Sequence, residues 1–230
     1  VFNWGPVSYP TQITNETRLV EFFGKPDSNT AVSFFTCANF LSYASDMRVV
    51  RCQGTGTFNA IANTSSTAII KNDDDYVNNF YTSSNDTVGP FAARYAGAKG
   101  NSLKVSVCAD AASFANWQYK DYFTGAPGTS PYADNISDNC GDEMHVVVVD
   151  EDGLFTGTKG TVLESYPFLS KASDAKDAQG STNYYKTVIY NKSRYVYAVG
   201  RMILNDDIAS TVGLQIHNVS LFDTGTSTVS

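Results

Sequence analysis

The sequence predicts an α+β protein, in which an N-terminal partial α/β segment of helices plus strands precedes a β-sandwich domain with flanking short helices. Two observations predict this class. Apolar residues at helical spacing are concentrated before residue 53, and the remainder holds six runs rich in Val, Ile, Tyr and Thr between turn-forming residues. We therefore expect two domains, at residues 1–53 and 54–230.

The first helical pattern lies near the start of the chain. Thr14 or Asn15 is a candidate N-cap, Phe22 belongs to an apolar stripe, and Gly24 and Pro26 stand where a helix would end. This pattern predicts a short helix with one apolar face.

The second helical pattern, at residues 28–45, is apolar on several of its faces. We expect this helix to be buried on most sides, because a helix that is apolar all round is usually a core element. A short strand at 47–52 is predicted to follow it.

The rest of the sequence predicts mainly strands. An Asp-Gly pair at 152–153 stands between two apolar runs and is typical of a hairpin. Short helical patches are expected at 73–81 and 181–193. The six strand candidates are 66–71, 102–109, 143–153, 160–168, 193–200 and 212–222.

Composition excludes several classes of partner. The formal net charge is -7, which argues against nucleic acid, since phosphate binding needs a basic face. No run of 18 apolar residues occurs, so we expect no membrane embedding. The four cysteines have no zinc-site spacing, and Cys37 and Cys108 are expected to be small core residues with free thiols.

The stretch RYAGAKGNSLKVSV, at 94–107, superficially resembles a phosphate-binding loop. However, the spacing of Gly97 and Gly100 and the position of Lys99 do not match a P-loop, and the glycines precede a strand instead of following one. We interpret the stretch as a turn whose glycines permit positive φ before a strand. No cofactor is predicted.

The sequence contains no recognisable catalytic constellation or metal-ligand pattern. His145 and His217 are the only histidines, and His145 alternates with apolar residues as a core or edge histidine would. The carboxylates at 73–75 and 150–153 are interpreted as solvated turns and helix starts, because they lack the ligand spacing of a calcium loop. We therefore predict that the protein is not an enzyme and binds no metal.

Two alternatives remain open from the residues alone. Six Asn-x-Ser/Thr sequons and aromatic clusters, at 78–83, 116–123 and 183–199, would suit a secreted β-sandwich glycoprotein that binds carbohydrate. A pair of carboxylates would suit a hydrolase. The same aromatic clusters also suit ordinary sheet packing or a protein interface.

Four stretches, in consistent order along nearly the whole chain, resemble the tail sheath proteins of contractile-tail bacteriophages, of the kind found in T-even-like myoviruses. They are FNWGPVSYPTQITNETRLVEFFGKP (2–26), NFLSYASDMRVVRC (39–52), ARYAGAKGNSLKVSV (93–107) and EMHVVVVDEDGLFTGTKGTVLESYPFLS (143–170). Ala96 stands where the family usually has Pro. The motif residues carried by these stretches are Trp4, Gly5, Pro6, Asn15, Phe22, Gly24, Pro26, Arg48, Arg51, Tyr95, Gly97, Gly100 and Asn101.

The resemblance implies a structural function. Residues 1–53 would be part of a tube-proximal α/β domain whose C-terminal half is absent, and 54–230 an outward β-sandwich domain. The terminal arms that exchange strands with neighbours would also be missing. Copies would polymerise as stacked six-fold rings around the tail tube, between baseplate and tail terminator, and contract to drive the tube through the host envelope. The implied location is the virion, after assembly in the bacterial cytoplasm.

Overall fold

The computed structural model describes residues 2–62, 66–82, 88–135 and 140–200, and it confirms the α+β class. The predicted strand at 212–222 and His217 lie outside the described residues. The helices are α1 (Glu16–Phe23), α2 (Ala31–Leu41), α3 (Asp73–Asn79), α4 (Ala111–Phe114), α5 (Pro131–Asp134) and α6 (Tyr185–Lys192), with 3-10 turns at Ala98–Ser102 and Lys120–Tyr122. The strands are β1 (Thr11–Ile13), β2 (Met47–Val49), β3 (Phe91–Ala93), β4 (Leu103–Cys108), β5 (Glu143–Asp150), β6 (Thr161–Ser170) and β7 (Val196–Ala198).

The N-terminal segment is a two-stranded antiparallel sheet covered by α1 and α2. β1 and β2 pair with Gln12 opposite Arg48. The two helices and the sheet share a small core whose fully buried members are Ile13, Leu19, Phe23 and Phe34. Because a two-stranded ribbon is marginal by itself, this apolar contact with the helices stabilises the segment.

Helix α1 begins and ends where the sequence predicted. The side chain of Asn15 accepts a hydrogen bond of 2.9 Å from the amide of Arg18, which satisfies one of the free N–H groups of the first turn. The helix stops at Gly24, whose amide donates to the carbonyl of Val20, and the half-buried Pro26 follows.

Helix α2 is not buried on most sides, and that prediction was wrong. Phe34 is buried, whereas Val32, Phe35 and Phe40 are exposed. The physical reason is that α1, β1 and β2 pack only on the Phe34 side of the helix. No other element among the described residues covers the opposite side.

Two further antiparallel sheets form the body of the protein. One has the order β4-β5-β6, and the other pairs β3 with β7. Both sheets contribute to one core: Val105, Val146 and Tyr166 come from the first, and Phe91 and Val196 from the second. Sheet faces that meet through interlocked apolar side chains give this body its sandwich character.

The predicted strand at 47–52 is present as β2, and four of the five strands predicted after residue 53 inside the described range are present as β4 to β7. The run at 66–71 is instead an irregular segment that makes one isolated bridge, between Asn59 and Ala68. The amide and carbonyl of the buried Asn59 side chain bond to Ile70 and Ala93 and replace a regular strand ladder. Within the described ranges, no helix has the length and apolar character needed to cross a membrane.

Candidate interaction surface

Arg51 fixes the N-terminal motif to the body of the protein. Its guanidinium donates to three carbonyls: Nε to Phe2 at 2.9 Å, Nη1 to Gly5 at 2.9 Å and Nη2 to Ala96 at 2.8 Å. Burial lowers the pKa of Arg51 below its ordinary value. Arginine's planar fork suits this role, because one side chain must reach three fixed acceptors.

Trp4 places the motif in the large core. Its ring meets Tyr95 at 5.3 Å and Phe155 at 5.0 Å, both edge to face. Pro6 beside it is buried too. Gly5 has φ +113°, and a Cβ there would lie 2.5 Å from the Phe23 ring, so only glycine fits.

The glycine-rich stretch forms a turn that leads into a core strand, as predicted. Gly97 has φ +136°, and a Cβ on it would lie 2.8 Å from the carbonyl oxygen of Asn3. Gly100 lies so close to Ala93 and Ala60 that a Cβ would be 2.9 Å from the first methyl group. Asn101 follows on the exposed side of the 3-10 turn before β4.

The two remaining motif residues lie on the outside of the N-terminal segment. Phe22 is half-buried, and the guanidinium of Arg18 lies 4.7 Å from the centre of its ring. Arg48 is exposed on β2. Most of the predicted residues therefore belong to a buried group around Arg51 or to an outer group at α1 and β2, whereas Asn101 is exposed on the 3-10 turn.

Asp150 is buried, so its interpretation as a solvated turn residue was wrong. It ends β5, where its carboxylate accepts hydrogen bonds from the Ser102 hydroxyl and from the amides of Phe155 and Thr156. These donors shape the loop that joins β5 to β6. An Asp three residues before a Gly at a strand end was the available signal for this role.

Asp73 begins helix α3 and its side chain is about half exposed, as the interpretation as a solvated helix start predicts, but it also has two defined partners. Its carboxylate accepts a 2.9 Å bond from the guanidinium of Arg94 and a very short one from the hydroxyl of Tyr197. The same guanidinium lies over the Tyr197 ring at 4.8 Å. Arg94 stood inside the glycine-rich stretch, and nothing in the local pattern predicted its partners.

His145 does not lie in an open site, because its side chain is fully buried. His145 is a core histidine, as predicted: Phe123 stacks on its ring at 4.3 Å, and its nitrogens bond to Gly125 and Phe168. Among the described residues, no three His, Cys, Asp or Glu side chains converge on a possible metal site.

Most rings of the aromatic clusters are buried or half-buried, although Tyr122 is exposed. In the described parts of 116–123 and 183–199, four aromatic rings are buried in sheet packing: Trp117, Tyr119, Tyr185 and Tyr197. Rings that are used in this way do not line an open carbohydrate groove. This observation favours the packing interpretation of the clusters.

The outer side of α2 exposes several large apolar side chains, and we call this surface the α2 face. Its members are the large apolar residues Val32, Phe35 and Phe40 on the helix, exposed to 84%, 55% and 48%, and Tyr43 in the turn just after it, exposed to 93%. Several large apolar side chains exposed along one short segment are typical of an interaction site, because their contact with water is unfavourable.

Comparison with known proteins agrees with the sequence motifs. Residues 1–52 match the family model "Tail sheath protein Gp18 domain III N-terminal region". The tail sheath protein of Salmonella phage ViI is 36% identical over 162 residues, which are 70% of this chain and 23% of that protein. Those of Vibrio phage KVP40 and Enterobacteria phage T4 are each 50% identical, over 60 and 50 residues, or 26% and 22% of this chain and 9% and 8% of theirs. The chain thus spans less than a quarter of the length of these relatives.

Proposed function

Because this chain belongs to the family of phage tail sheath proteins, we propose that it is a structural segment of a contractile tail sheath. Residues 1–53 form part of the tube-proximal domain, and residues 54–230 form the outward β-sandwich domain. Copies pack against one another as stacked six-fold rings around the tail tube. No catalytic role is part of this proposal.

The α2 face is the observation that carries the proposal. It lies inside residues 1–52, the part that matches a family model described as the N-terminal region of a domain. A region of a domain leaves apolar surface for the remainder of that domain to cover. We propose that the α2 face packs against the rest of the tube-proximal domain, and that this contact completes the lattice-forming unit.

The body of the protein suits a subunit that moves as one piece. Trp4 and Arg51 connect the N-terminal segment to the main core, through ring contacts and three hydrogen bonds to carbonyls. In the proposed mechanism, each subunit swings outward as a nearly rigid body while the contacts between subunits are remade. Stored free energy of the extended lattice then drives the tube through the host envelope.

The proposed partners follow from this role: other sheath subunits, the tail tube, the baseplate and the tail terminator. The proposed location is the virion, after assembly in the host cytoplasm. All four cysteines are free, which suits a reducing compartment.

Electron microscopy of the whole natural protein, or of the particle that contains it, tests the proposal. We expect six-fold stacked rings around a tube. Discrete particles that never form tubes, even when tube and baseplate are supplied, would contradict it.

A pair of variants tests the role of the α2 face. We expect Val32→Asp in the whole protein to prevent tube formation, since it places a charge in the centre of a contact that buries apolar surface. Val77→Asp is the matched control, because Val77 is also exposed but lies outside the α2 face, on α3. Equal assembly of both variants would count against the assignment of the α2 face.

A further inference from the structure

Asn39 lies in the middle of the α2 face. It follows Val32 by seven residues and Phe35 by four, so the three side chains lie along one side of the helix. Tyr43 follows four residues later, in the turn just after the helix. Asn39 is exposed together with these apolar neighbours. A partner that covers the α2 face therefore covers this amide as well.

The other exposed polar side chains of this surface already have partners within their own helix. The hydroxyl of Thr36 donates to the carbonyl of Val32 at 2.7 Å, and that of Ser42 donates to the carbonyl of Ala38 at 3.2 Å. Both hydroxyls can be covered with these hydrogen bonds in place. Asn39 differs, because its side-chain amide bonds to no other residue within the described ranges.

The α2 face needs a partner surface that is neutral and mostly apolar. The stretch 28–45 contains no charged residue, and its exposed large side chains are apolar. An amide has two N–H donors and one carbonyl acceptor, and burying it without hydrogen bonds is unfavourable. The covering surface must therefore place a group that both donates and accepts opposite Asn39. A backbone peptide group and a side-chain amide both have this chemistry.

The occupant of the α2 face follows from the family match. Residues 1–52 correspond to a region that is described as N-terminal within its domain, and this chain covers 23% of the tail sheath protein of Salmonella phage ViI. The domain therefore has a further region. A helix face without charges is the kind of surface that two regions of one domain share.

We infer that Asn39 sets the orientation of this contact, because its side-chain amide exchanges hydrogen bonds with a peptide group or a side-chain amide of the remaining region of the tube-proximal domain. The inference rests on the proposed function, in which that region covers the α2 face. Apolar side chains alone tolerate several neighbouring orientations, whereas a buried polar pair is satisfied in one. Asn39 thus selects the orientation in which the domain closes.

Hydrogen–deuterium exchange of the whole natural protein tests this inference, with the peptide that covers 31–43 as the readout. Leu has nearly the shape of Asn, favours a helix more strongly and adds apolar surface. In a purely apolar contact, Asn39→Leu would therefore slow the exchange of this peptide. We expect the opposite, exchange that is about tenfold faster or more, because the polar group of the partner loses its hydrogen bonds and stays buried. Unchanged or slower exchange would overturn the inference.

Three further variants complete the test. Asn39→Gln keeps donors and an acceptor and should speed exchange less than Asn39→Leu does, and equal effects of the two would contradict the role of the amide. Asn78→Leu, the same change at an exposed position of α3 outside the α2 face, is the matched control and should leave the peptide unchanged. Circular dichroism confirms that each variant folds. Asn39→Ala, which also favours a helix and adds no bulk, replaces Asn39→Leu if the larger side chain prevents folding, and the same faster exchange is expected of it.

Val32→Asp separates this inference from the proposed function. Asp near the start of a helix favours the helix itself, so faster exchange of 31–43 in this variant reports the loss of the covering contact. If Val32→Asp speeds exchange and Asn39→Leu does not, the α2 face is covered but Asn39 does not orient the contact. If neither variant changes exchange, the proposed role of the α2 face fails too. Exchange that slows as the protein concentration rises would show that a second copy covers the face, and would overturn the inference.

Discussion

The hydroxyl of Ser102 donates a 2.6 Å hydrogen bond to the carboxylate of Asp150, and this pair joins the glycine-rich turn to the β5–β6 hairpin. The other carboxylate oxygen accepts bonds from the amides of Phe155 and Thr156. Burial alone would raise the pKa of Asp150, but the hydrogen bonds from Ser102, Thr156 and Phe155 outweigh it and hold the pKa below its ordinary value. The charged form is therefore the one that stabilises the fold.

We expect Asp150→Asn to lower the free energy of unfolding by about 2–4 kcal/mol at pH 7. If the Asn oxygen keeps the bonds from Phe155 and Thr156, the Asn NH₂ meets the Ser102 hydroxyl, whose oxygen already accepts from two amides. If the amide is turned the other way, the NH₂ faces the backbone N–H donors. Urea unfolding measures the effect. Asp152→Asn is the control, and it should change stability by less than about 0.5 kcal/mol because its ion pair with Lys159 is exposed.

The loss of stability in Asp150→Asn should depend on pH. Because the folded pKa of Asp150 is lowered, its contribution is complete above the unfolded value of about 3.9 and is lost as the pH falls through the folded pKa. The stability gap between the unaltered chain and Asp150→Asn should therefore narrow between pH 5 and pH 2. A gap that stays constant over this range would show that the charge of Asp150 is not the stabilising feature.

Arg51→Lys should destabilise the chain by about 2–4 kcal/mol, even though it keeps the positive charge. One ammonium group cannot reach the carbonyls of Phe2, Gly5 and Ala96 as the guanidinium does, and at least one buried acceptor is left unpaired. Urea unfolding is again the measurement. Arg48→Lys, the same change at an exposed position, should be nearly neutral, and equal effects at both positions would refute the assigned role of Arg51.

Local features of this fold could be predicted from the sequence because short-range physical chemistry determines them. Asn15 at the start of α1 and Gly24 at its end satisfy groups within one turn of the helix. Strand β5 was predictable because four consecutive valines in a β-rich run favour a fully buried strand. The glycine-rich stretch was predictable as a turn because its spacing fits no phosphate loop.

Long-range features could not be predicted, since they depend on residues that meet only in the folded chain. Arg51 bonds to carbonyls 45 to 49 positions away, and Arg94 lies beside Asp73 and Tyr197. The exposure of the α2 face also depends on partners, because the helix pattern alone cannot say whether a covering element is present.

We expect the buried His145 to lower the stability of the chain below about pH 6.5, which is the ordinary pKa of histidine. Burial lowers its pKa, although its hydrogen bond to Gly125 acts in the opposite direction. The amide of Phe168 donates to Nδ1, so the neutral ring carries its proton on Nε2, which donates to Gly125. The unfolded chain then binds the extra proton more readily, and stability falls as the pH decreases.

Unfolding of the unaltered chain and of His145→Gln at pH 7.5 and 5.5 tests this prediction. The variant should be less stable at pH 7.5, since it loses ring contacts with Phe123 and Phe168. The difference in free energy of unfolding between the unaltered chain and His145→Gln should be smaller at pH 5.5, by at most about 1.4 kcal/mol per pH unit. A gap that widens on acidification would mean that the folded protein stabilises the charged ring.

Gly100→Ala should destabilise the chain by about 1–3 kcal/mol through overpacking, and Gly100→Val should cost more. The added Cβ would lie 2.9 Å from the Ala93 methyl group and 3.2 Å from that of Ala60, and both neighbours belong to or adjoin the main core. Gly54→Ala is the matched control, because a Cβ there meets no heavy atom within 4 Å. Thermal melting of the two variants measures the difference. A Gly100→Val variant that is soluble and melts normally would show that the core can open at this turn, and the close approach of the turn to Ala93 would then not be a requirement of the fold.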